Sequence, residues 1–239
     1  MKKYLEETRL LDFSHTSIKQ LIKSKKWEAL SEFHRIQKIY NYVRDEIRFG
    51  YNMGDHMSAS QILADGYGQC NTKSTLLMAL LRAVGIPSRI HGFTIDKALQ
   101  KGAITGIWYR VAPQNILHSW VEVLWDNEWY FLEGVILDRE YLNAVQNNNQ
   151  GISGVFCGYG IFTEEFQNPV IDWNKNHTFI QRMGINNDFG VFDSPDQFYA
   201  QHHQNLGKLK RWMYENVIRH LMNKNVNSIR DCLKSSEEK

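Results

Sequence analysis

The protein is a chain of 239 residues in which 28 Lys and Arg nearly balance 26 Asp and Glu, so its formal net charge is only +2. Hydrophobic residues make up 43% of the chain and charged residues 23%, which is typical of a globular protein and excludes extensive disorder. The small net charge argues against nucleic acid or a membrane surface as a partner, and no uncharged apolar run approaches the roughly 20 residues of a membrane span.

The first part of the chain is predicted to be helical. Its first stretch, MKKYLEETRLLDF, has charged residues where a signal peptide requires an apolar core, so we expect a cytoplasmic protein. Apolar residues recur at intervals of three and four over 17–30 and 33–50, which predicts two amphipathic helices. Residues 52–58 are predicted to form a loop, and a third helix is predicted from Cys70 to a stop signal at Gly85.

Three strands are predicted next along the chain. β-Branched and aromatic residues dominate 88–95, 117–125 and 128–136. Between the second and third strands, Asp126-Asn127 has the composition of a two-residue hairpin turn. These strands therefore predict an antiparallel sheet against which the third helix packs.

The rest of the chain is organised less clearly. Residues 141–187 are rich in Gly and Asn and are interpreted as long ordered loops with short strands, and apolar residues from Leu206 to Leu221 predict a last long helix. No repeat or linker divides the sequence. We expect an α+β fold with a catalytic core over 1–140 and a loop-rich, helical extension over 141–239 that packs on the core as one domain.

The cysteines and histidines give little support for disulfides or metals. Cys70, Cys157 and Cys232 are odd in number, far apart and without CxxC spacing, so we interpret them as free thiols. His202 and His203 are adjacent and cannot both face one ion from a regular helix. We therefore expect neither a metal site nor a cofactor.

Cys70 stands out because it lies between a glycine-rich turn, Gly66-Tyr67-Gly68, and the start of the apolar helix. Unpaired backbone N–H groups and the positive end of the helix dipole both favour a thiolate at this position. The Cys70 amide is also a suitable donor for an oxyanion. A small buried hydrophobic cysteine is the alternative interpretation.

The predicted hairpin brings a base near a carboxylate. If Trp125 pairs with Glu128, the antiparallel ladder sets Trp120 opposite Glu133 and leaves His118 diagonal to Glu133 on one sheet face. A three-residue turn would move Glu133 to the other face, and a core histidine with a solvated glutamate remains the alternative.

The motifs GYGQC, LLMALLRAVGIPSR, HSWVEV and WYFLEG together resemble the core of the transglutaminase-like superfamily, of bacterial type, over residues from about 33 to 138. This resemblance implies a papain-type fold and a triad in which Cys70 is the nucleophile, His118 is the general base and acid, and Glu133 occupies the place of the family's aspartate. The run Asn71-Thr72-Lys73 departs from the family pattern, and its lysine is expected to place a cation near the site that tunes the choice of substrate. We further expect three residues to contact substrate: Tyr67, Gln69 and Trp120, although Trp120 can equally fill the core.

The predicted function is cysteine-dependent acyl transfer on a peptide or other amide, through a thioester on Cys70. Water as acceptor would make the protein a protease or amidase, which we favour, and an amine would make it a transglutaminase. The expected partner is a peptide or protein substrate, with neither nucleic acid nor membrane involved, and the oligomeric state stays open. A catalytically silent peptide-binding module of the same fold is the alternative function.

Overall fold

Helix α4 (Cys70–Ala83) lies at the centre of the protein and is buried from Cys70 to Arg82. In the computed structural model, residues 1–237 are described, and side chains are described as far as residue 231. Cys232, which the sequence interprets as a free thiol, lies outside the described side chains. Nearly every apolar residue of the helix joins the main hydrophobic core, so the predicted helix after the glycine-rich turn is confirmed.

The described residues contain eight further α-helices. In chain order they are α1 (Thr16–Lys25), α2 (Glu32–Asp45), α3 (Ala59–Asp65), α5 (Gly106–Val111), α6 (Arg139–Asn147), α7 (Pro195–Gln201), α8 (Lys208–Met213) and α9 (Arg219–Glu237). Among the described residues, no helix has both the length and the apolar content that crossing a membrane requires.

A four-stranded antiparallel sheet packs against α4, in the order β5-β4-β3-β8. Its strands are β3 (Ser88–Asp96), β4 (Asn115–Trp125), β5 (Glu128–Phe131) and β8 (Ile185–Phe192). Two small pairs complete the strands: β1 (Arg48–Phe49) with β2 (Tyr67–Gly68), and β6 (Phe156–Gly158) with β7 (Ile161–Thr163). The α+β class, with the helix of Cys70 on an antiparallel sheet, is therefore confirmed.

The β4–β5 hairpin has the predicted turn but is shorter than predicted. Asp126 and Asn127 adopt left-handed φ values of 50° and 63°, as a twisted two-residue turn requires, and Trp125 pairs with Glu128. The ladder ends where Glu122 pairs with Phe131, so the predicted strand over 128–136 is wrong beyond Phe131. The backbone turns there because Glu133 and Gly134 donate to the Thr178 carbonyl instead of to β4.

The segment that the sequence leaves as loops contains regular structure. It contains α6 and the β6–β7 pair, and it leads into β8, which pairs with β3 and forms an edge of the sheet. A strand at this place was not predicted because the β8 sequence INNDFGVF is polar, half-exposed and interrupted by register shifts. Its pairing with β3 is a contact of long sequence separation.

The predicted last helix is split. Helices α8 and α9 are joined by a π-helical turn from Tyr214 to Ile218. The buried Arg230 guanidinium of α9 donates to the Asp138 carboxylate at 2.6 Å and to the Phe49 carbonyl at 2.7 Å. These bonds anchor α9 to the part of the chain before residue 140, and the division into a core over 1–140 and an extension stays a prediction.

Candidate active site

Three polar side chains at the start of α4 fasten it to neighbouring elements. The Asn71 side chain donates to the Leu117 carbonyl of β4 at 3.1 Å, and Ser74 donates to the Ser119 carbonyl at 3.2 Å. Thr72 donates to Asn52 Oδ1 at 2.6 Å, in the loop after β1. These bonds fix the rotation of the helix about its axis, and with it the direction of the Cys70 side chain.

Lys73 does not lie in the site as expected. Its side chain is 0% exposed, and Nζ donates to the Arg44 carbonyl of α2 at 2.9 Å. Burial lowers the pKa of Lys73 to about 7, although the nearby Asp138 and Asp45 carboxylates oppose that shift. The expectation that Lys73 supplies a cation near Cys70 is therefore wrong, because three residues further along the helix the side chain points to another neighbour.

Cys70 occupies the first position of α4 and is 8% exposed. The first backbone N–H groups of a helix have no acceptor within it, so they favour a negative charge on the thiol or on an oxyanion beside it. The Gln69 N–H, one residue before, donates to Thr72 Oγ1 at 3.0 Å. The turn before the helix is thus held by the helix itself.

His118 lies on β4, opposite Phe93 of β3, and is completely buried. Its Nε2 is 2.9 Å from Glu133 Oε1, which leaves Nδ1 for Cys70. Burial lowers the pKa of His118, but the electrostatic influence of Cys70 and the hydrogen bond to Glu133 outweigh burial and raise the pKa to about 9. Among the described residues, Nδ1 has no hydrogen-bond partner, so Cys70 acts on His118 through electrostatics.

Glu133 reaches His118 from a turn and not from a strand. It begins the 3-10 turn Glu133–Val135, its side chain is 0% exposed, and the expected strand ladder with Trp120 opposite Glu133 does not form. The second carboxylate oxygen, Oε2, accepts backbone N–H bonds from residues 180, 181 and 182 at 2.9, 3.0 and 3.0 Å. Both carboxylate oxygens of Glu133 are therefore hydrogen-bonded within the protein, Oε1 to His118 and Oε2 to the backbone.

Gly134 allows this turn. A Cβ at this position would lie 2.7 Å from the Tyr40 hydroxyl and 2.9 Å from the Ile171 Cα. Tyr40 itself donates to the Ile171 carbonyl at 2.7 Å, so neither neighbour is free to move. The glycine of the WYFLEG motif is thus needed for close approach of the backbone.

The donors to Glu133 were missed in the sequence. Residues 180–182 lie in the segment that is interpreted as long loops. They act through main-chain N–H groups, which any residue except proline supplies, so no side-chain pattern could have identified them.

Trp120 lies against His118 with ring centroids 6.5 Å apart, but it is 5% exposed and packs among three phenylalanines, Phe93, Phe131 and Phe179. This packing shields the histidine–glutamate pair from water. Substrate contact by Trp120 stays a prediction.

Gln69 and Tyr67, the other two predicted substrate contacts, are held by neighbours. Gln69 Oε1 accepts from the Asn52 backbone N–H at 2.8 Å, and its Nε2 donates to Asp55 at 3.4 Å. The Tyr67 hydroxyl accepts from the Arg219 guanidinium of α9 at 3.4 Å. Both side chains border the turn before Cys70, and their roles in binding stay predictions.

Two tyrosines from the last third of the chain lie close to Cys70. Burial raises the pKa of Tyr199 and of Tyr214, and the negative charges of Asp55 and Cys70 raise both further. The Tyr199 hydroxyl donates to the Asn71 carbonyl at 3.3 Å, and the Tyr214 hydroxyl donates to the Asn52 carbonyl at 3.1 Å. The Tyr199 phenol thus lies beside the residue that follows Cys70, and the Tyr214 phenol lies beside the loop after β1.

Within the described part of the chain, no group of three or more His, Cys, Asp or Glu side chains is placed to hold a metal ion. Cys157, the other cysteine with a described side chain, is exposed on β6, and burial of its sulfur together with the charge of Asp96 raises its pKa. Cys157 therefore lacks the features that favour a thiolate at Cys70.

Comparison with known proteins identifies the core that carries this geometry. Residues 19–134 match the family model described as the transglutaminase-like superfamily, which confirms the resemblance of the motifs. A search of curated proteins gave no significant match.

Two solved structures are similar in part. One is "a Putative Cysteine Protease from Cytophaga hutchinsonii", with 12% identity and a TM-score of 0.46 over 81% of this chain and 47% of the other. The second is red sea bream transglutaminase, with 17% identity and a TM-score of 0.31 over 55% of this chain and 25% of the other. The protein thus spans about half of the first structure and a quarter of the second, and because both TM-scores lie below 0.5, neither likeness assigns a function.

Proposed function

Since residues 19–134 form a transglutaminase-like core, we propose that the protein is a cysteine-dependent acyl-transfer enzyme in which Cys70, His118 and Glu133 act as a triad. The observation that carries this proposal is the placement of His118 between the two other groups. Its Nε2 bonds to the fully buried Glu133 carboxylate, and its charge responds to Cys70.

The proposed reaction begins with a thiolate–imidazolium pair. The Cys70 sulfur attacks an amide carbonyl, forming a C–S bond, while backbone N–H groups at the start of α4 stabilise the oxyanion. His118 then gives its proton to the leaving amine as the C–N bond breaks, and a thioester remains on Cys70. Glu133 keeps the imidazole in place through Nε2 throughout.

In the second half of the proposed reaction, His118 takes a proton from the acceptor, which attacks the thioester and frees the thiol. We propose water as the acceptor, so that the product is a carboxylic acid and the enzyme a protease or amidase. Incubating the acyl-enzyme with cadaverine would test this step by mass spectrometry. An amide of cadaverine in place of the acid would favour the transglutaminase reaction.

The test of the triad does not need the substrate. Iodoacetamide at pH 6, followed by peptide mass mapping, should label Cys70 well ahead of Cys157 and Cys232, because ordinary thiols are protonated at this pH. Cys157 is a strict control, since its surroundings raise its pKa. His118→Ala should remove most of the Cys70 advantage, and Glu133→Gln should remove less. Equal labelling of the three cysteines in the folded protein would contradict the proposal.

One observation favours the alternative, a silent binding module. Cys70 is only 8% exposed, with Tyr199 and Tyr214 close to it. A peptide would have to displace or pass these phenols before reaching the sulfur. Labelling of Cys70 no faster than Cys157 at pH 6 would make the binding module the better function.

A further inference from the structure

Asp55 lies beside the nucleophile, in the loop between β1 and α3. Gln69 Nε2 donates to Asp55 Oδ1 at 3.4 Å, and the nearby Asn71 side chain lowers the pKa of the carboxylate. Gln69 and Asn71 are the residues on either side of Cys70 in the chain. The Asp55 carboxylate therefore lies close to both sequence neighbours of the thiol.

The Asp55 carboxylate has little opposite charge to balance it. Among the residues with described side chains, no lysine or arginine forms an ion pair with Asp55, and the charge that lowers its pKa is that of the adjacent His56. Burial is the largest influence and raises the pKa of Asp55, whose side chain is half-buried. Lys73 bonds to α2, and Arg219 donates to Tyr67 and to the Glu215 carbonyl. The carboxylate is thus partly shielded from water and has capacity left for a further partner.

The surroundings suit a positively charged ligand. The Tyr199 ring lies 5.6 Å from that of His56, next to Asp55, while its hydroxyl donates to the carbonyl of Asn71, next to Cys70, at 3.3 Å, so Asp55 and the thiol share one small region. Two cations also lie there, but His118 is bonded to Glu133, and Arg219, which lowers the pKa of Tyr214, donates to Tyr67 and to the Glu215 carbonyl. Asp55 therefore keeps a negative charge that attracts a cation.

We propose that Asp55 binds a primary ammonium group of the substrate next to Cys70, carried either at a peptide amino terminus or on a lysine side chain. This inference rests on the proposed function and names the recognition element of the same site. A carboxylate stabilises the protonated ammonium, which is not a nucleophile. Asp55 is thus a recognition residue for a group that stays charged, and it does not activate an amine acceptor.

The test compares two alkylating probes of equal size. N-(2-aminoethyl)iodoacetamide and N-propyliodoacetamide carry the same electrophile and differ in having an ammonium or a methyl group at the end. In wild type at pH 7.5, the cationic probe should label Cys70 faster by about three- to tenfold, as expected for one ion pair that is only partly exposed to water. Rates are read for the Cys70 peptide alone by mass mapping.

Variants assign the preference to Asp55. In Asp55→Asn the ratio of cationic to neutral rate should fall to near one, and Asp55→Glu should keep a ratio above one. Glu128→Gln removes the same charge from an exposed hairpin position and is the matched control, in which the ratio should stay at the wild-type value. Repeating the comparison with a five-carbon tether distinguishes the two sources, because an amino terminus corresponds to the short probe and lysine to the long one.

Three outcomes would overturn the inference: a wild-type ratio near one with both tethers, a ratio that Asp55→Asn leaves unchanged, or an equal fall in Glu128→Gln. Fast labelling of Cys70 by the neutral probe with no preference for charge would reject the ammonium site and leave the proposed function intact. Slow labelling of Cys70 by the neutral probe, no faster than Cys157, would instead reject the proposed function.

Discussion

Two carboxylates lie in the site proposed for this protein, Glu133 behind His118 and Asp55 near Cys70, and they are held in different ways. Glu133 accepts three backbone N–H bonds and a histidine bond, all between 2.9 and 3.0 Å. Asp55 accepts one long bond, from Gln69 Nε2 at 3.4 Å, and has no lysine or arginine partner among the described side chains. The fold thus satisfies all the hydrogen-bonding capacity of Glu133, whereas Asp55 can still bind a ligand.

The largest predicted difference between the two carboxylates is in their contribution to stability. Glu133→Ala should lower the free energy of unfolding by roughly 3 to 5 kcal/mol, because it leaves three buried N–H groups and a buried imidazolium without their partner. Asp55→Ala should change it by less than about 1 kcal/mol. Urea unfolding followed by circular dichroism measures both. Similar losses in the two variants would mean that Asp55 is as structural as Glu133.

A second effect appears in the pH dependence of stability. The pKa of His118 rises from 6.5 to about 9 in the folded protein, so its contribution to stability is complete below pH 6.5 and is lost as pH rises through about 9. The difference of 2.5 units (9 − 6.5) corresponds to about 3 kcal/mol. Unfolding free energies at pH 6.5, 7.5, 8.5 and 9.5 should fall accordingly. Cys70→Ala should make the unfolding free energy fall less steeply with pH, because the sulfur is a main cause of the raised pKa of His118. An unchanged slope would mean that Cys70 does not influence the pKa of His118.

The smallest effect compares one glycine from each region. Gly134→Ala should cost roughly 1 to 3 kcal/mol, since the new methyl group meets Tyr40 and the Ile171 backbone at less than 3 Å, and it should also slow labelling of Cys70 by displacing Glu133. At Gly54, next to Asp55, a Cβ would have nothing within 4 Å, so Gly54→Ala is the matched control and should be neutral or slightly stabilising. If both variants behaved alike, the close packing at Gly134 would not be what holds the turn.

The elements predicted correctly from sequence are those with strong local signals. The apolar helix after Cys70 and the turn at Asp126-Asn127 are set by residues adjacent in the chain, and both are present where expected. Helix α3 and strand β8 were missed because α3 has only seven residues and β8 is a polar, irregular edge strand. Short or half-exposed elements owe their conformation to tertiary partners.

The part of the candidate site that was predicted correctly also depends on a strong local signal, the hairpin turn. His118 and Glu133 were expected to meet because the hairpin turn sets the pairing of Trp125 with Glu128, and they do meet, at 2.9 Å. The predicted position of Glu133 on strand β5 was wrong. The strand ends at Phe131, and Glu133 is held by backbone N–H groups 47 to 49 residues further along the chain. A ladder of paired residues could be counted, whereas main-chain donors from a distant segment carry no sequence pattern.

Sequence by itself determined the position of Cys70 at a helix start and the hairpin turn between β4 and β5, because helix periodicity and turn conformation depend on neighbours in the chain. Only the tertiary structure decided the rest. In the folded chain, Lys73 bonds to α2 and not near the thiol, and backbone N–H groups of residues 180–182 donate to Glu133. Asp55 lies near Cys70 without a lysine or arginine partner among the described side chains. The burial of a side chain and the charges around it depend on segments that are far apart in the sequence. They are therefore decided only when those segments pack together and exclude water.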